Sequence, residues 1–407
     1  MSLPNVNIDF DNGNIGTVVS TADGVFGLLA SAVAVATKFD LNKAYTVKGM
    51  VDVAALGIVA DTDNYVLYRW LEKFYEEAGE GTELWLMGFS KDDAVSDWFT
   101  PDGTTGIVPA SKLLDAANGR LSGLFTAFSP TLPYVPTITD SLDADVMLAK
   151  SKAQTFAESY ADLVFAPFFV ILEAYAFDGN IVTLATLLEG SDNRVGIFIG
   201  NTEKRTATPT IMGASTSVLA GRLAKIQVHV SAGRVKDGEL NTLTAYILDE
   251  VPELFDIEGL HDKGYISFRT HVRKSGYYIT DGRLATEETD DYHYIERRRS
   301  IDKAYKLAHN IASDEILADF DLENDGTISP FYAKTIEGAI EREISTQMTA
   351  KGELSRNKAD DNDFGVLAQF DMTHNVATTN TIKLILKVRP KGYARWFDIL
   401  LGFSVNL

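Results

Sequence analysis

Residues 64–89 read NYVLYRWLEKFYEEAGEGTELWLMGF. Val66, Leu67, Trp70, Leu71 and Phe74 fall at helical spacing, and Asp63 and Asn64 stand where a helix start is capped. Gly79 and Gly81 end the helix, because glycine reaches backbone angles that other residues avoid. Glu83–Phe89 is then a nearly continuous apolar run, the pattern of a buried strand. Helix, glycine turn and buried strand in succession point to an α/β layer.

The alternation continues downstream. Leu121–Phe128 reads as a strand, Asp143–Leu163 as a long amphipathic helix and Phe168–Ala174 as a strand. Ile181–Leu188 reads as a helix, Val195–Ile199 as a strand and Ala214–His229 as a helix. Between them, Lys91–Gly106 is polar, and Ser129–Pro136 holds three prolines, so both are loops. Upstream, Val6, Ile8 and Phe10 alternate with Asn7, Asp9 and Asp11, a strand with one apolar face. Asn12-Gly13 marks a turn, and Thr17–Ala36 reads as a strand followed by helix or loop.

The last third changes character. Tyr265–Val272 and Gly276–Ile279 read as strands, Ser300–Ile311 and Phe331–Met348 as helices, and Asp321–Pro330 as a loop. Arg356–Asp363 is a charged connection. Ile382–Val388 and Phe397–Val405 alternate and read as two strands around Pro390-Lys391-Gly392. The reading is an α/β core followed by an α+β domain. Its parts are a segment 1–16, a core 17–253 in which 91–154 is a candidate insertion, a domain 254–380 and a closing segment 381–407.

Composition narrows the chemistry. The chain has 407 residues, no cysteine, and a formal net charge of −20. Without thiols, disulfides, thiolate zinc sites and cysteine nucleophiles are excluded. So acidic a chain lacks the basic face that broad nucleic-acid binding needs. The most apolar stretch, Val25–Ala36, is about a dozen residues against the ~20 that span a bilayer. The N-terminus has no basic region before an apolar run, so the expectation is synthesis in the cytoplasm without a signal peptide.

Catalytic motifs are weighed and set aside. There is no phosphate-binding G-x-x-x-x-G-K-[ST], no complete G-x-G-x-x-G and no G-x-S-x-G nucleophile elbow. His229, His261, His271, His293, His309 and His374 are scattered without metal-ligand spacing. Asp321, Glu323, Asp325 and Gly326 fit the first half of a calcium loop. Position twelve is Tyr332 rather than Glu, and Pro330 interrupts the loop, so an acidic turn is favoured. The expectation is no enzyme and no cofactor. An α/β enzyme whose site is assembled from dispersed residues stays as the alternative from another class.

Charge is polarised along the chain. The first hundred residues are net −9, whereas 381–407 carry Lys383, Lys387, Arg389, Lys391 and Arg395 against Asp398, net +4. Ile382, Leu384, Leu386 and Val388 share one face of the first C-terminal strand. Phe397, Ile399, Leu401, Phe403 and Val405 share one face of the second. Such strands either belong to the chain's own sheet or add to a neighbouring copy through backbone hydrogen bonds. An acidic N-terminal strand and a basic C-terminal one match in sign for pairing across subunits.

From Leu254 the sequence resembles the contractile tail sheath proteins of bacteriophages, prophages and related injection systems. The resemblance rests on Gly276-Tyr277-Tyr278-Ile279, on Asp281-Gly282-Arg283-Leu284-Ala285-Thr286, and on the run from Asp291 to Lys303 (DYHYIERRRSIDK). Ala214–Arg222, Phe74–Trp85 and the strand–Pro–strand close from Leu386 to Leu407 are similar to further family segments, in the same order. The resemblance implies a compact sheath subunit stacked as hexameric rings around an inner tube. N- and C-terminal arms would add strands to neighbours, through Val6, Ile8, Phe10 and the C-terminal residues above. It implies contraction without nucleotide, and contacts with the tube protein, the baseplate and the tail terminator. No nucleic acid and no membrane insertion is implied, and the setting is a virion tail or extracellular particle assembled in a bacterial cytoplasm. The tube-facing helix of the family corresponds best to Phe331–Met348, with Lys334, Glu337, Glu341 and Arg342 as candidate contacts. Another self-assembling phage structural protein is the nearer rival.

Overall fold

The computed structural model describes residues 22–207, 210–399 and 401. The expected N-terminal strand Val6–Phe10 lies outside the described residues, as do Phe403 and Val405. The chain divides into two compact units, Met1–Lys303 and Ala304–Leu407.

The first unit is built on a six-stranded sheet. Its strands are β1 (Phe26–Ala32), β2 (Ala44–Val47), β3 (Leu84–Ser90), β4 (Gly123–Ala127), β5 (Phe169–Glu173) and β6 (Val195–Phe198), in the order β2-β3-β1-β4-β5-β6. All neighbours run parallel except β2, which pairs antiparallel with β3 at the edge. From β1 the chain steps outward to β3, crosses back to β4, and continues to β6. That is doubly wound topology, in which helices must cover both faces.

The helices do so. α1 (Tyr65–Ala78) and α3 (Thr216–Lys225) cover one face, with Leu67, Trp70, Leu71, Phe74, Val218, Leu219 and Leu223 buried against Phe26, Leu28, Phe125 and Ile171. α2 (Ala144–Val164) covers the other, packing Val146, Ala153 and Phe156 with Leu29, Leu124, Val170 and Ile197. Neighbouring strand residues alternate between the two clusters, and both clusters are apolar. This is why the strands read as unbroken apolar runs. Each such side chain contributes about 1.5–3 kcal/mol on burial.

Several expectations change in the structure. Asn64 sits at the start of α1, but its side chain does not cap it; it accepts from Val33 N at 2.9 Å and donates to Val33 O at 3.0 Å, tying the helix to the end of β1. Asp61 takes the Asn64 amide instead, at 2.8 Å. Residues 181–188 are turns rather than a helix, closing in a single 3-10 turn at Leu187–Glu189. Four of their first six residues are β-branched, which disfavours helix, and Lys263 Nζ bonds the carbonyls of Val182 and Leu184. The expected strands around 265–279 shrink to β7 (Phe268–Arg269) and β8 (Tyr278–Ile279), which pair antiparallel. A bridge from Ile266 to Phe198 ties this segment to the edge of the main sheet.

α4 (Ile295–Asp314) follows, longer at both ends than its apolar pattern shows. The second unit holds α5 (Pro330–Ile344) and an antiparallel pair, β9 (Val366–Phe370) with β10 (Leu384–Val388). β10 is the expected strand Ile382–Val388 beginning two residues later; β9 is new. Residues 397–399, expected to open a strand, form none. Phe397 and Ile399 are exposed, as is Leu401 beyond them.

Candidate functional site

The run Tyr294–Lys303, which carries much of the resemblance, sits where strand ends and helix ends converge. Arg298 and Asp302 are one turn apart on α4, with Nη2 to Oδ1 at 2.8 Å. Asp302 also accepts from Arg194 Nη1 at 3.1 Å, and Arg194 donates on to Phe168 O at 3.0 Å. All three side chains are buried. Burial pushes the Arg194 guanidinium below its ordinary value, and Asp302 works against that. A buried charge needs such a partner, since leaving one alone costs several kcal/mol.

The next arginine holds backbone. Arg299 Nη2 donates to Leu223 O at 3.1 Å and Ile226 O at 3.4 Å, carbonyls that the end of α3 leaves without helical partners. It also reaches Asp23 O at 3.3 Å, and Lys303 pairs with the Asp23 carboxylate at 2.5 Å. Asp23 stands at the root of the N-terminal segment, just before β1. Arg299 and Lys303 therefore anchor the point where that segment joins the core.

At the other end of the chain, α5 packs along β9. Glu341 accepts from Ala368 N at 2.9 Å and Glu337 from Phe370 N at 2.7 Å. Glu337 is buried, and its other oxygen meets Lys334 Nζ at 2.5 Å. Lys334 and Arg342 are exposed. The four candidate tube contacts thus separate: two carboxylates are spent on a strand edge and two cations face outward. Spacing placed Lys334, Glu337 and Glu341 on one face correctly, but it carries no signal for which of them is covered.

Leu384, Leu386 and Val388 lie half-buried, whereas Ile382, Ile385 and Lys387 are exposed. Arg389 pairs with Asp363, whose carboxyl is held well below the ordinary range, at about 2, by the Asn357 amide first and by Arg389 next. Trp396, Phe397, Ile399 and Leu401 are 74%, 80%, 81% and 91% exposed. Isolated apolar residues on a surface are ordinary; these four fall within six positions.

At the carboxyl ends of the parallel strands, where enzymes of this topology place substrate, two cavities of about 10 and 20 Å³ occur. Each is about the size of one water. The first is lined by Thr126, Asp143, Asp145, Glu173 and Tyr175 among others. The carboxylates among them are engaged with the protein itself. Asp143 accepts from Tyr134 Oη at 2.6 Å, Asp145 from Ser96 N at 3.2 Å, and Glu173 from Phe128 N and, at 3.0 Å, Ala214 N. In the acidic turn, Asp325 accepts from the amide and hydroxyl of Thr327, at 3.1 and 2.7 Å.

These features define a doubly wound α/β protein whose motif residues are structural and whose chain end presents apolar side chains to solvent. The chain belongs to the DUF2586 family: the model of its N-terminal domain matches residues 3–283 and that of its C-terminal domain residues 291–407. A protein of Haemophilus phage HP1 (strain HP1c1), whose provisional name is tail sheath protein, is 33% identical over 151 residues. That match spans 35% of this chain and 40% of the relative. The fold is similar over 100% of this chain to a chain of the sheath complex, in the contracted state, of the PVC extracellular contractile injection system. There the TM-score is 0.60, identity 13%, and 98% of that chain is covered. A chain of the six-fold symmetrised anti-feeding prophage baseplate matches at TM-score 0.63 and 16% identity, with both chains fully covered. The resemblance read from the sequence and these likenesses point to the same class, the contractile tail sheath proteins.

Proposed function

We propose that this chain is the subunit of a contractile sheath that polymerises as stacked hexameric rings around an inner tube and shortens to drive that tube through a target envelope. The observation that carries the proposal is the exposure of Trp396, Phe397, Ile399 and Leu401, in a segment that forms no strand up to residue 399 in the chain's own fold. Apolar alternation without a local partner is what an intersubunit strand leaves behind in a single copy. The similarity to a sheath complex over the whole chain supports the reading. The inter-subunit strands are Val6–Phe10, Ile382–Val388 and Phe397–Val405, and contraction exchanges one set of subunit contacts for another without covalent chemistry. The setting is a phage tail or extracellular particle, with baseplate and terminator proteins at its ends.

Purified protein should give long hollow striated cylinders in negative stain. A chain lacking residues 397–407 should stay folded by circular dichroism and form none. Cylinders from the truncated chain would sink the role of that strand, and uniform small particles from the intact chain would reopen the enzyme reading. The tube contact falls to α5 through its outward cations, Lys334 and Arg342, while Glu337 and Glu341 hold β9. Lys334→Glu with Arg342→Glu should lower co-sedimentation with the tube protein about tenfold while the fold persists; unchanged co-sedimentation would remove this helix from the tube surface.

A further inference from the structure

One hairpin runs against the acidic character of the chain. At β7, β8 and the loop joining them, residues 268–280 carry Arg269, Arg273 and Lys274 and no acid, in a chain of net charge −20. All three cations are exposed and form no ion pair among the described residues. Their field reaches His271, whose imidazole is held below its ordinary value by burial first and by Arg269 and Lys274 next. The hairpin is tied at its root. Ser275 Oγ donates to Glu239 Oε2 at 2.5 Å, Lys274 N to His271 O at 3.0 Å and Thr280 N to Ser267 O at 2.8 Å. At the tip Val272 is 92% exposed. Arg273 beside it stands on left-handed backbone, at φ 64°, which residues other than glycine seldom take. The opposite pattern occurs in the second unit, between α4 and α5. Residues 307–333 hold six acids and no lysine or arginine. Asp314, Asp319, Asp321 and Glu323 are exposed, again without an ion pair among the described residues. Glu323 N donates to Thr327 O at 3.0 Å and Ser329 N to Asp321 O at 3.2 Å, so this turn is ordered too. Ile316 and Leu317 are 69% and 100% exposed, and Leu317 also stands at φ 64°.

We infer that the basic hairpin of one copy docks on the acidic turn of another, with Val272 set against Ile316 and Leu317 and the hairpin's cations against the carboxylates around them. The inference rests on the self-assembly reading and adds two surfaces in which the terminal strands take no part. Sign selects the occupant. Chains at −20 repel one another when packed closely, and a basic surface laid on an acidic one removes that repulsion where they touch. Side-chain type selects it as well. Each charged surface surrounds exposed apolar side chains, so the two together make an apolar centre with a polar rim. Both tips are exposed, which leaves each available to a partner. Two different surfaces meeting form a heterologous contact, which propagates into a ring or an open helix instead of stopping at a pair. Exposed ion pairs contribute little each and are screened by salt. The contact therefore orients subunits and is readily exchanged for another.

The chain has no cysteine, so introduced thiols report this contact and no other. Full-length Val272→Cys and Leu317→Cys chains, each altered at an exposed side chain, are mixed and oxidised. The mixture should give disulfide-linked dimers about fivefold above either chain alone, because the contact raises the local thiol concentration. It should exceed by the same factor a mixture of Leu317→Cys with Val182→Cys, a position 88% exposed but outside the hairpin. The yield should fall several-fold between about 0.05 and 0.5 M salt. Arg273→Glu with Lys274→Glu in the Val272→Cys chain should abolish the excess. Asp319→Lys with Asp321→Lys in the Leu317→Cys partner should then restore it, which loss of fold would not do. If a reversed chain loses its native circular dichroism spectrum, the salt series on the unreversed pair decides. No excess of linked dimers, or an excess indifferent to salt and to charge reversal, would overturn the inference even if cylinders form. Absence of cylinders with the charge-dependent link intact would instead overturn the sheath reading.

Discussion

Glu173 closes β5 inside the core, its two oxygens taking the amides of Phe128 and Ala214. Burial pushes its carboxyl up to about 8, against the downward pull of those two amides. Gly213 leaves room for it: a Cβ there would lie 2.1 Å from Glu173 Oε2 and push the carboxylate off its amides. With the folded value above the unfolded one, the native state holds the extra proton between about 4.5 and 8. Stability from this group is therefore fully present below about 4.5 and is lost as pH rises toward 8. Relative to Glu173→Gln, wild type should lose stability across that interval and run level above it. Denaturant midpoints at pH 5 and 8 check this; a constant difference between the two chains would refute it. At this scale the sequence was partly legible. The glycine turn at Gly79 is plain, whereas nothing in FFVILEA marks its glutamate as a bridge between two loops.

Among the elements, α1 and α3 show what apolar spacing foretells and what it misses. Their apolar faces follow from period 3.6, but their closeness rests on Gly221, where a Cβ would meet Glu77 Cβ at 2.8 Å and Phe74 O at 2.9 Å. The pair is then fixed by polar groups. Trp70 Nε1 donates to Thr216 Oγ1 at 2.8 Å, and buried Glu77 meets Lys225 at 3.2 Å and Asn241 N at 2.7 Å. Gly221→Leu should cost about 3 kcal/mol or more, because the obstacle is backbone that cannot rotate away. A urea titration that shows less than about 1 kcal/mol lost would mean the helices slide apart freely. β9 escaped the sequence reading for a related reason. VLAQF is weak as a strand, since alanine and glutamine have low preference there; β10 on one edge and Glu337 and Glu341 on the other hold it extended. Ile181–Leu188 failed in the opposite sense, apolar at helical spacing but held in turns by Lys263.

For the whole molecule, the net charge of −20 resolves into an acidic first hundred residues and a basic last segment. The strand–helix alternation, the α/β class and the alternating pattern of the two ends were all present in residue order, whereas the doubly wound strand order was not. They depend on burial period and turn chemistry, which act over a few neighbours. The roles of charged residues were not. Arg298 and Asp302 are one turn apart, but their third partner is Arg194, and Arg299 serves carbonyls some seventy residues away. Glu337 looked like a surface charge until β9 was laid against it. An apolar residue at the right period within the sheet or the helices that cover it is buried whichever neighbour it meets. A charge is buried, paired or left in water according to what the chain brings back to it, and that is settled only by long-range packing.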